Sequence, residues 1–335
     1  MSRWINRPEG SNWGDFGEDD QIGRMNLLTP EKRLEGLAEV RDGRSFTLSL
    51  PLDYPGWSGV VMGREPPELL TRQVSGRDVY NYPFGELMPG SRDLVCDDAV
   101  TLSTQYSTQW DSLAHWGRMF DADGDGVEEA VYYNGYRADE HLVGGKKPYA
   151  HRLGIENLAM AGVQGRAVLI DLEAGRDETG PSVGYDAFMR AIAAQKADVR
   201  AGDFLLLWGG YDELLLSMNK NPDSERLAEA GVALDGSDNR LLQWIVDSGV
   251  VAICSDHPAV EQVAFEHGRC DHGASFLPLH ELCLFKLGIH LGEMWYLAEL
   301  ARYMRAAGRS AFLLTAPPLR LPGSVGSPVT PVALV

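Results

Sequence analysis

The chain has 335 residues, of which 30 are basic and 48 acidic, so its formal net charge is −18 and its pI is near 4.8. The phosphates of nucleic acids and anionic membrane surfaces would repel so acidic a protein, and neither is an expected partner. With 44% hydrophobic and 23% charged residues, the chain has the composition of a folded globular protein rather than a disordered one.

Neither a membrane segment nor a secretory leader is predicted. The first ten residues, MSRWINRPEG, contain no apolar core. No apolar run approaches the roughly 20 residues that are needed to cross a bilayer. Four cysteines in a chain of this length favour reduced thiols over a disulfide framework. We therefore expect a cytoplasmic protein whose partner is a small-molecule substrate.

The chain is expected to form a single domain over residues 1–335, because no repeat, low-complexity stretch or concentrated linker divides it. Trp4, Trp13 and Phe16 stand among glycines and aspartates, and a free tail would rarely be so aromatic. Residues 1–30 are therefore predicted to form an ordered arm that lies on the body of the protein or on a neighbouring subunit.

The next segment contains a helix, a strand and a long loop. Thr29 followed by Pro30 is typical of a helix start, with an N-cap oxygen and proline at the first helical position. Apolar and polar residues alternate over 45–50, which predicts a strand with one wet face. Residues 53–95 are rich in Pro, Gly and Arg and are predicted to be a long functional or interface loop.

The remainder alternates between buried strands and helices, which indicates an α/β protein with a mixed sheet. Short apolar runs predict strands at 167–172, 204–207, 250–253 and 312–314. Helical patterns lie between them at 186–196, 239–247, 258–266 and 292–307. Periodicity alone does not give the order of the strands.

The densest polar cluster runs from Gln105 to His115. If a helix begins near Thr108, Asp111 and His115 stand four residues apart on one face, and a carboxylate and an imidazole converge on one point. The same residues also fit a helix cap, with Asp111 closing the first turn and His115 an ordinary residue. The pattern leaves both interpretations open.

The second polar cluster runs from Leu279 to Glu293. His280 precedes an apolar stripe of helical spacing. Glu293 is predicted to begin the long helix that ends at Gly308, where the helix dipole favours a carboxylate. His290 is interpreted as a neutral packing or surface histidine.

Two weaker patterns are interpreted as structural. Residues 121–126, Asp-Ala-Asp-Gly-Asp-Gly, begin like an EF-hand loop, but Tyr132 stands where the bidentate Glu belongs. Surface turns are the favoured interpretation and a weak Ca²⁺ site is the alternative. The Cys and His residues of 254–257 and 270–272 match no common zinc class.

No nucleophile elbow, P-loop or dinucleotide-binding fingerprint is present.

Taken together, the two polar clusters resemble the putative cyclase family, which includes bacterial kynurenine formamidase and isatin hydrolase. The family's H-x-G-T-H-x-D-x-x-x-H motif matches residues 105–115 in frame, and its later His and Glu match His280 and Glu293. The resemblance implies a swivelling β/β/α fold that forms a homodimer or homotetramer. It also implies that Asp111, His280 and Glu293 ligate a metal, and that His115 is catalytic together with Glu293 and Asp111.

The chain departs from the motif at its two metal-ligating histidines, which are replaced by Gln105 and Gln109. An imidazole nitrogen binds Zn²⁺ well, whereas an amide oxygen is a hard, weak ligand that suits Mg²⁺, Ca²⁺ or Mn²⁺. A divalent metal, Mn or Zn, is therefore an open expectation. If no metal binds, the two amides are expected to donate hydrogen bonds to a substrate carbonyl.

The first functional hypothesis is a hydrolase of a small cyclic amide, formamide or lactone, with His115 as general acid and base. The second is a metal-free cyclase or dehydratase that acts on a small carbonyl metabolite. The third is a binding protein without catalysis. Trp110 is a candidate wall for a planar substrate ring, with ordinary core packing as the alternative.

Overall fold

The computed structural model describes residues 3–56, 63–175, 180–262 and 274–335. Its centre is a nine-stranded sheet, which confirms the predicted mixed α/β architecture. The nine strands are, in chain order, β1 (Ser45–Thr47), β2 (Gln109–Asp111), β3 (Gln164–Asp171), β4 (Phe204–Trp208), β5 (Ala252–Ser255), β6 (His290–Glu293), β7 (Ala311–Thr315), β8 (Gly326–Pro328) and β9 (Val332–Leu334).

The spatial order of the strands is β1-β9-β7-β3-β4-β5-β6-β2-β8. The four central strands, β3 to β6, run parallel to one another, and every other neighbour pairs antiparallel. Strands β3 to β5 are mostly apolar on both faces, as expected where helices or loops cover a parallel sheet on both sides. Alternate residues of β4 illustrate this, since Leu205 and Leu207 enter one core cluster while Phe204 and Leu206 enter the other.

Eight α-helices are present in the described ranges. They are α1 (Pro30–Ala38), α2 (Ile155–Ala161), α3 (Tyr185–Gln195), α4 (Tyr211–Ser217), α5 (Ser224–Ala230), α6 (Asn239–Ser248), α7 (Pro278–His280) and α8 (Ala298–Ala307). A π-helical segment, Glu281–Leu287, continues α7 directly. As predicted, Thr29 caps α1 with Pro30 at its first position, and Gly308 ends α8 in the left-handed conformation.

Three predicted helices differ from the structure. Residues near Thr108 do not begin a helix, because Gln109–Asp111 pairs on both sides as β2. The helix predicted over 292–307 begins only at Ala298, since residues 290–293 belong to β6. Of the helix predicted over 258–266, residues 258–262 are not helical and the rest lies outside the described residues.

The predicted long loop contains short strands. Within and just after residues 53–95, the two-stranded pairs are Glu68–Thr71 with Asp98–Thr101, Gln73–Val74 with Arg77–Asp78, and Tyr82–Pro83 with Leu94–Val95. The first pair is exposed along its whole length. Further two-stranded pairs join Arg118–Phe120 to Glu129–Val131, Leu142–Val143 to Tyr149–Ala150, and Ser182–Val183 to Ala233–Leu234. No helix among the described residues is both long and apolar enough to cross a membrane.

The N-terminal segment packs on the helix that carries His280. Trp13 is fully buried, and its indole N–H donates to the carbonyl of Phe285 at 2.8 Å. The ring also makes an edge contact with Phe285, with centroids 5.2 Å apart. Trp4 lies beside it, at 5.9 Å between ring centroids. This contact joins two segments that are far apart in sequence.

Replacing Trp13 by Ala should lower the free energy of unfolding by about 3–5 kcal/mol, because a fully buried ring and its hydrogen bond are both lost. Ile5, which lies in the same segment and is 79% exposed, is the control. Ile5→Ala should change stability by less than about 0.5 kcal/mol. Urea denaturation measures both variants, and equal effects would show that the segment does not pack as described.

Candidate functional site

The pairing of β2 with β6 brings the two polar clusters together. Their antiparallel register places Gln109 opposite Glu293 and Asp111 opposite Leu291. Because side chains alternate across a strand, Gln109 and Asp111 project from the same face of β2. Both residues and Glu293 are buried. The site is therefore built on neighbouring strands of the central sheet.

Asp111 and His115 are in contact, but not on the face of a helix. Asp111 ends β2, and a turn follows in which the backbone N–H of His115 donates to the carbonyl of Ser112 at 3.0 Å. The turn brings the His115 Nε2 to 4.0 Å from Asp111 Oδ2. The expected juxtaposition is thus present, and a strand followed by a turn produces it.

His280 and Glu293 also meet. His280 lies at the end of α7, and its Nε2 is 3.3 Å from Glu293 Oε1. Glu293 was predicted to begin a helix, but it ends β6, five residues before α8 begins at Ala298. The ring centroids of His280 and His115 are 6.4 Å apart. All four residues carried over from the family motif therefore belong to one cluster.

The two glutamines face the carboxylates rather than open space. The side-chain amide of Gln105 donates to Asp111 Oδ1, and that of Gln109 donates to Glu293 Oε2 at 2.8 Å. The nitrogen must face each carboxylate, because the amide oxygen in that position would be repelled. Each amide thus supports one of the two carboxylates, while donation to a substrate carbonyl stays a prediction.

Two buried oxygen atoms of this cluster, Gln109 Oε1 and Asp111 Oδ2, have no hydrogen-bond donor among the described residues. A third, Glu293 Oε1, has only His280 Nε2 nearby, at 3.3 Å. In addition, one ligand atom each of Asp111, His115 and His280 lie within 4.8 Å of one another. Buried acceptors without donors are costly unless a cation or a water satisfies them. Carboxylates and an imidazole in one buried cluster therefore fit a divalent cation.

Burial and mutual charge shift the pKa values of the site. Burial raises the pKa of Glu293 to about 7, and the negative charge of Asp111 adds to this. Burial lowers the pKa of His115 and outweighs the opposing effect of Asp111. Burial also opposes charging of His280, but its hydrogen bonds to Glu261 and Glu293 outweigh that effect and raise its pKa to about 10. His115 is thus the neutral imidazole of the cluster.

Two residues at the site were not predicted. Arg64, from the predicted loop, donates to the carbonyl of Gln105 at 2.6 Å. Its positive charge also acts to lower the pKa of both His115 and Glu293. Glu261 contacts the far side of the His280 ring at 2.9 Å. Both contacts span long sequence separations, and no local pattern around either residue indicated them.

Trp110, predicted to bind substrate, lies on the opposite face of β2. It is fully buried in the core, and its indole N–H donates to the carbonyl of Ala316 at 2.8 Å. The alternation of side chains along a strand requires this, since its neighbours Gln109 and Asp111 face the site. Trp116 is the aromatic residue beside the cluster, with its ring centroid 5.2 Å from that of His280.

The remaining sequence candidates lie apart from this cluster. In the acidic loop, Asp121 accepts hydrogen bonds from the backbone N–H groups of its own turn, as expected for surface turns. The Arg137 guanidinium contacts Asp123 at 3.0 Å and Glu129 at 2.9 Å. Burial lowers the pKa of His290 to about 3, which agrees with a neutral packing histidine. Residues 270–272 of the discounted zinc pattern lie outside the described residues.

Because the pKa of Glu293 is raised in the folded protein, the free energy of unfolding should depend on pH. The folded protein binds a proton here with a pKa of about 7, against an ordinary value of 4.5. The free energy of unfolding should therefore fall as the pH rises from about 4.5 to about 7, on the order of 1–3 kcal/mol from this group. In chelator-treated protein, Glu293→Gln should remove that part of the fall, as measured by urea denaturation from pH 4.5 to 8. Parallel curves for the two proteins would contradict the shift.

The model of the family described as putative cyclase matches residues 46–262, which is more than half of the chain. A crystal structure described as a novel cyclase is 29% identical, with a TM-score of 0.76 and coverage of 97% of each chain. Isatin hydrolase A from Labrenzia aggregata, bound to benzyl benzoate, is 12% identical, with a TM-score of 0.56 over 91% of this chain and 98% of its own.

Isatin hydrolase A from Ralstonia solanacearum is 15% identical, with a TM-score of 0.55 over 92% of this chain and 97% of its own. These two low-identity similarities establish the fold alone. No curated protein matches the sequence. The match to the family model agrees with the fold and with the position of the site on β2 and β6. The chain belongs to the putative cyclase family.

Proposed function

We propose that this protein is a hydrolase of a small cyclic amide, formamide or lactone, and that His115 is its general acid and base. The position and charge of His115 are the observation that supports this most. Its side chain is 21% exposed, whereas that of Asp111 is fully buried. His115 is therefore the member of the pair that a substrate or water can reach.

The lowered pKa of His115 keeps its imidazole neutral at neutral pH. A neutral imidazole has a free lone pair and accepts a proton from an attacking water. Asp111, 4.0 Å away, stabilises the imidazolium that results. The ring then returns the proton to the leaving nitrogen or oxygen, so that the C–N or C–O bond breaks without release of an unstable anion.

A divalent cation fits the same cluster. Asp111, His280 and Glu293 would hold it, with the Gln109 amide oxygen as a further ligand, because Asp111 Oδ2 and Gln109 Oε1 are buried with no donor among the described residues. When bound, such an ion polarises a carbonyl and lowers the pKa of a bound water. An oxygen-rich ligand set favours Mn²⁺ more than the histidines of the family motif do.

A metal-free cyclase or dehydratase is the alternative, and the glutamine contacts favour it. The amides of Gln105 and Gln109 donate to Asp111 and Glu293 and so stabilise both carboxylates without an ion. His280, with its raised pKa, is then an imidazolium between two carboxylates. Such an acid and the neutral base His115 together suit ring closure or loss of water.

His115→Ala should reduce kcat about 10²–10⁴-fold on any substrate that the wild type turns over in a panel of cyclic amides, formamides and lactones. His151, an exposed histidine outside the cluster, is the matched control, and His151→Ala should keep wild-type rates. Circular dichroism verifies that both variants are folded. Turnover by folded His115→Ala at the wild-type rate would contradict the assigned role, and no turnover by the wild type would favour a binding protein.

Elemental analysis of protein purified without chelator separates the hydrolase from the metal-free alternative. We expect close to one divalent transition metal per chain, because a bound cation would satisfy the buried oxygen atoms that have no donor among the described residues. Replacing both glutamines by His should shift the ion that is retained from Mn²⁺ towards Zn²⁺, since imidazole binds zinc better than an amide oxygen does. Wild-type protein without metal would favour the cyclase or dehydratase.

A further inference from the structure

Glu261 holds the side of His280 that faces away from Glu293. Its carboxylate Oε1 accepts from His280 Nδ1 at 2.9 Å and from the backbone N–H of His280 at 3.0 Å. Its Oε2 accepts from the backbone N–H of Leu279, also at 3.0 Å. Glu261 is fully buried. One carboxylate therefore binds both the imidazole ring and the backbone that carries it.

The backbone beside Glu261 is in a conformation that its sequence disfavours. Val260, the residue immediately before it, has φ = +59°. A β-branched residue rarely adopts this left-handed conformation, and the strain persists only where the surrounding structure enforces it. Such outliers cluster at functional sites. Here the strained turn directs the carboxylate of Glu261 towards α7.

Gly236 lies close to the Glu261 carboxylate and restricts the space around it. A Cβ atom on Gly236 would lie 2.0 Å from Glu261 Oε2, so no larger residue fits there without moving the carboxylate. An isolated parallel bridge between Leu234 and Glu261 fixes the adjoining backbone. The Glu261 side chain is therefore constrained by the backbone conformation at Val260 and by the close approach of Gly236.

The other nitrogen of the same ring faces the candidate site. Since Nδ1 donates its proton to Glu261, the ring is oriented with Nε2 towards Glu293 Oε1, at 3.3 Å. His280 also offers one of the three ligand atoms that lie within 4.8 Å of one another, with Asp111 and His115. A rotation of the ring would remove that atom from the group.

We propose that Glu261 is a positioning residue that fixes the ring of His280 so that Nε2 can bind a divalent cation with Asp111 and Glu293. A carboxylate on the second nitrogen of a ligating imidazole sets its tautomer and raises its basicity. The inference uses the same site as the proposed hydrolase. Its test measures ion binding rather than turnover. A failure of the positioning role of Glu261 is therefore distinguishable from a failure of the hydrolase assignment.

Calorimetric titration of Mn²⁺ and of Zn²⁺ into the chelator-stripped full-length chain tests the proposal. Glu261→Gln should raise the Kd for these ions about 10–100-fold, because the amide replaces a charged acceptor of the Nδ1 proton. Glu281→Gln is the matched control, since Glu281 follows His280 directly but pairs with Arg118 and with Lys286, the latter at 3.2 Å. We expect its Kd to stay within about twofold of the wild type.

A second variant moves the carboxylate without removing its charge. In Gly236→Ala the new Cβ displaces Glu261 Oε2, and ion affinity should fall in the same direction. Wild-type affinity in folded Glu261→Gln, or no ion binding by the wild type, would overturn the proposal. If neither variant folds, NMR of the ¹⁵N-histidine-labelled wild type decides: a slowly exchanging Nδ1 proton on His280 supports the proposal, and its absence overturns it.

Discussion

The pairing of β2 with β6 is the constraint on which the site depends. Its register places Gln109 opposite Glu293 and turns Asp111 to the same face, so two carboxylates are buried within one small region. Burying an ionised carboxylate costs several kcal/mol unless a partner compensates for it. The remaining residues of the cluster supply that compensation, and the chemistry follows from how they do so.

Each carboxylate receives a different partner. The Gln105 amide donates to Asp111, the Gln109 amide donates to Glu293, and His280 lies between Glu293 and Glu261. These partners leave Asp111 Oδ2 and Gln109 Oε1 without a hydrogen-bond donor among the described residues. Among the described residues, the nearest carboxylate to the His115 ring is that of Asp111, at 4.0 Å, and burial lowers the pKa of this imidazole. The cluster thus combines two hydrogen-bonded carboxyl groups, one imidazole held between carboxylates and one neutral imidazole.

The sequence indicated which polar residues lie together better than it indicated the helices and strands that carry them. The four motif residues were identified from a resemblance, and the structure places them together. Their local structure was assigned incorrectly, because β2 has only three residues, too few for an alternating pattern. Glu293 resembled a helix start because α8 begins five residues later. Polar residues in short strands carry little periodic signal, whereas the apolar strands β3 and β4 were located within a few residues.

Glu261 and Trp110 show what a single sequence leaves open. The function of Glu261 depends on a contact with His280 across 19 positions, formed by a strained turn at Val260. The face on which Trp110 lies depends on the pairing of β2, and a motif read as a helix could not assign it. Both facts follow from strand order and register, which periodicity does not determine.

The central claim is that Asp111, His115, His280 and Glu293 form one cation-binding active site. An anomalous difference map from crystals soaked in Mn²⁺ tests it most directly. The account predicts a strong peak within about 2–2.5 Å of ligand atoms of Asp111 and His280. The absence of a peak there, or a peak only at the acidic loop of Asp121, would contradict it.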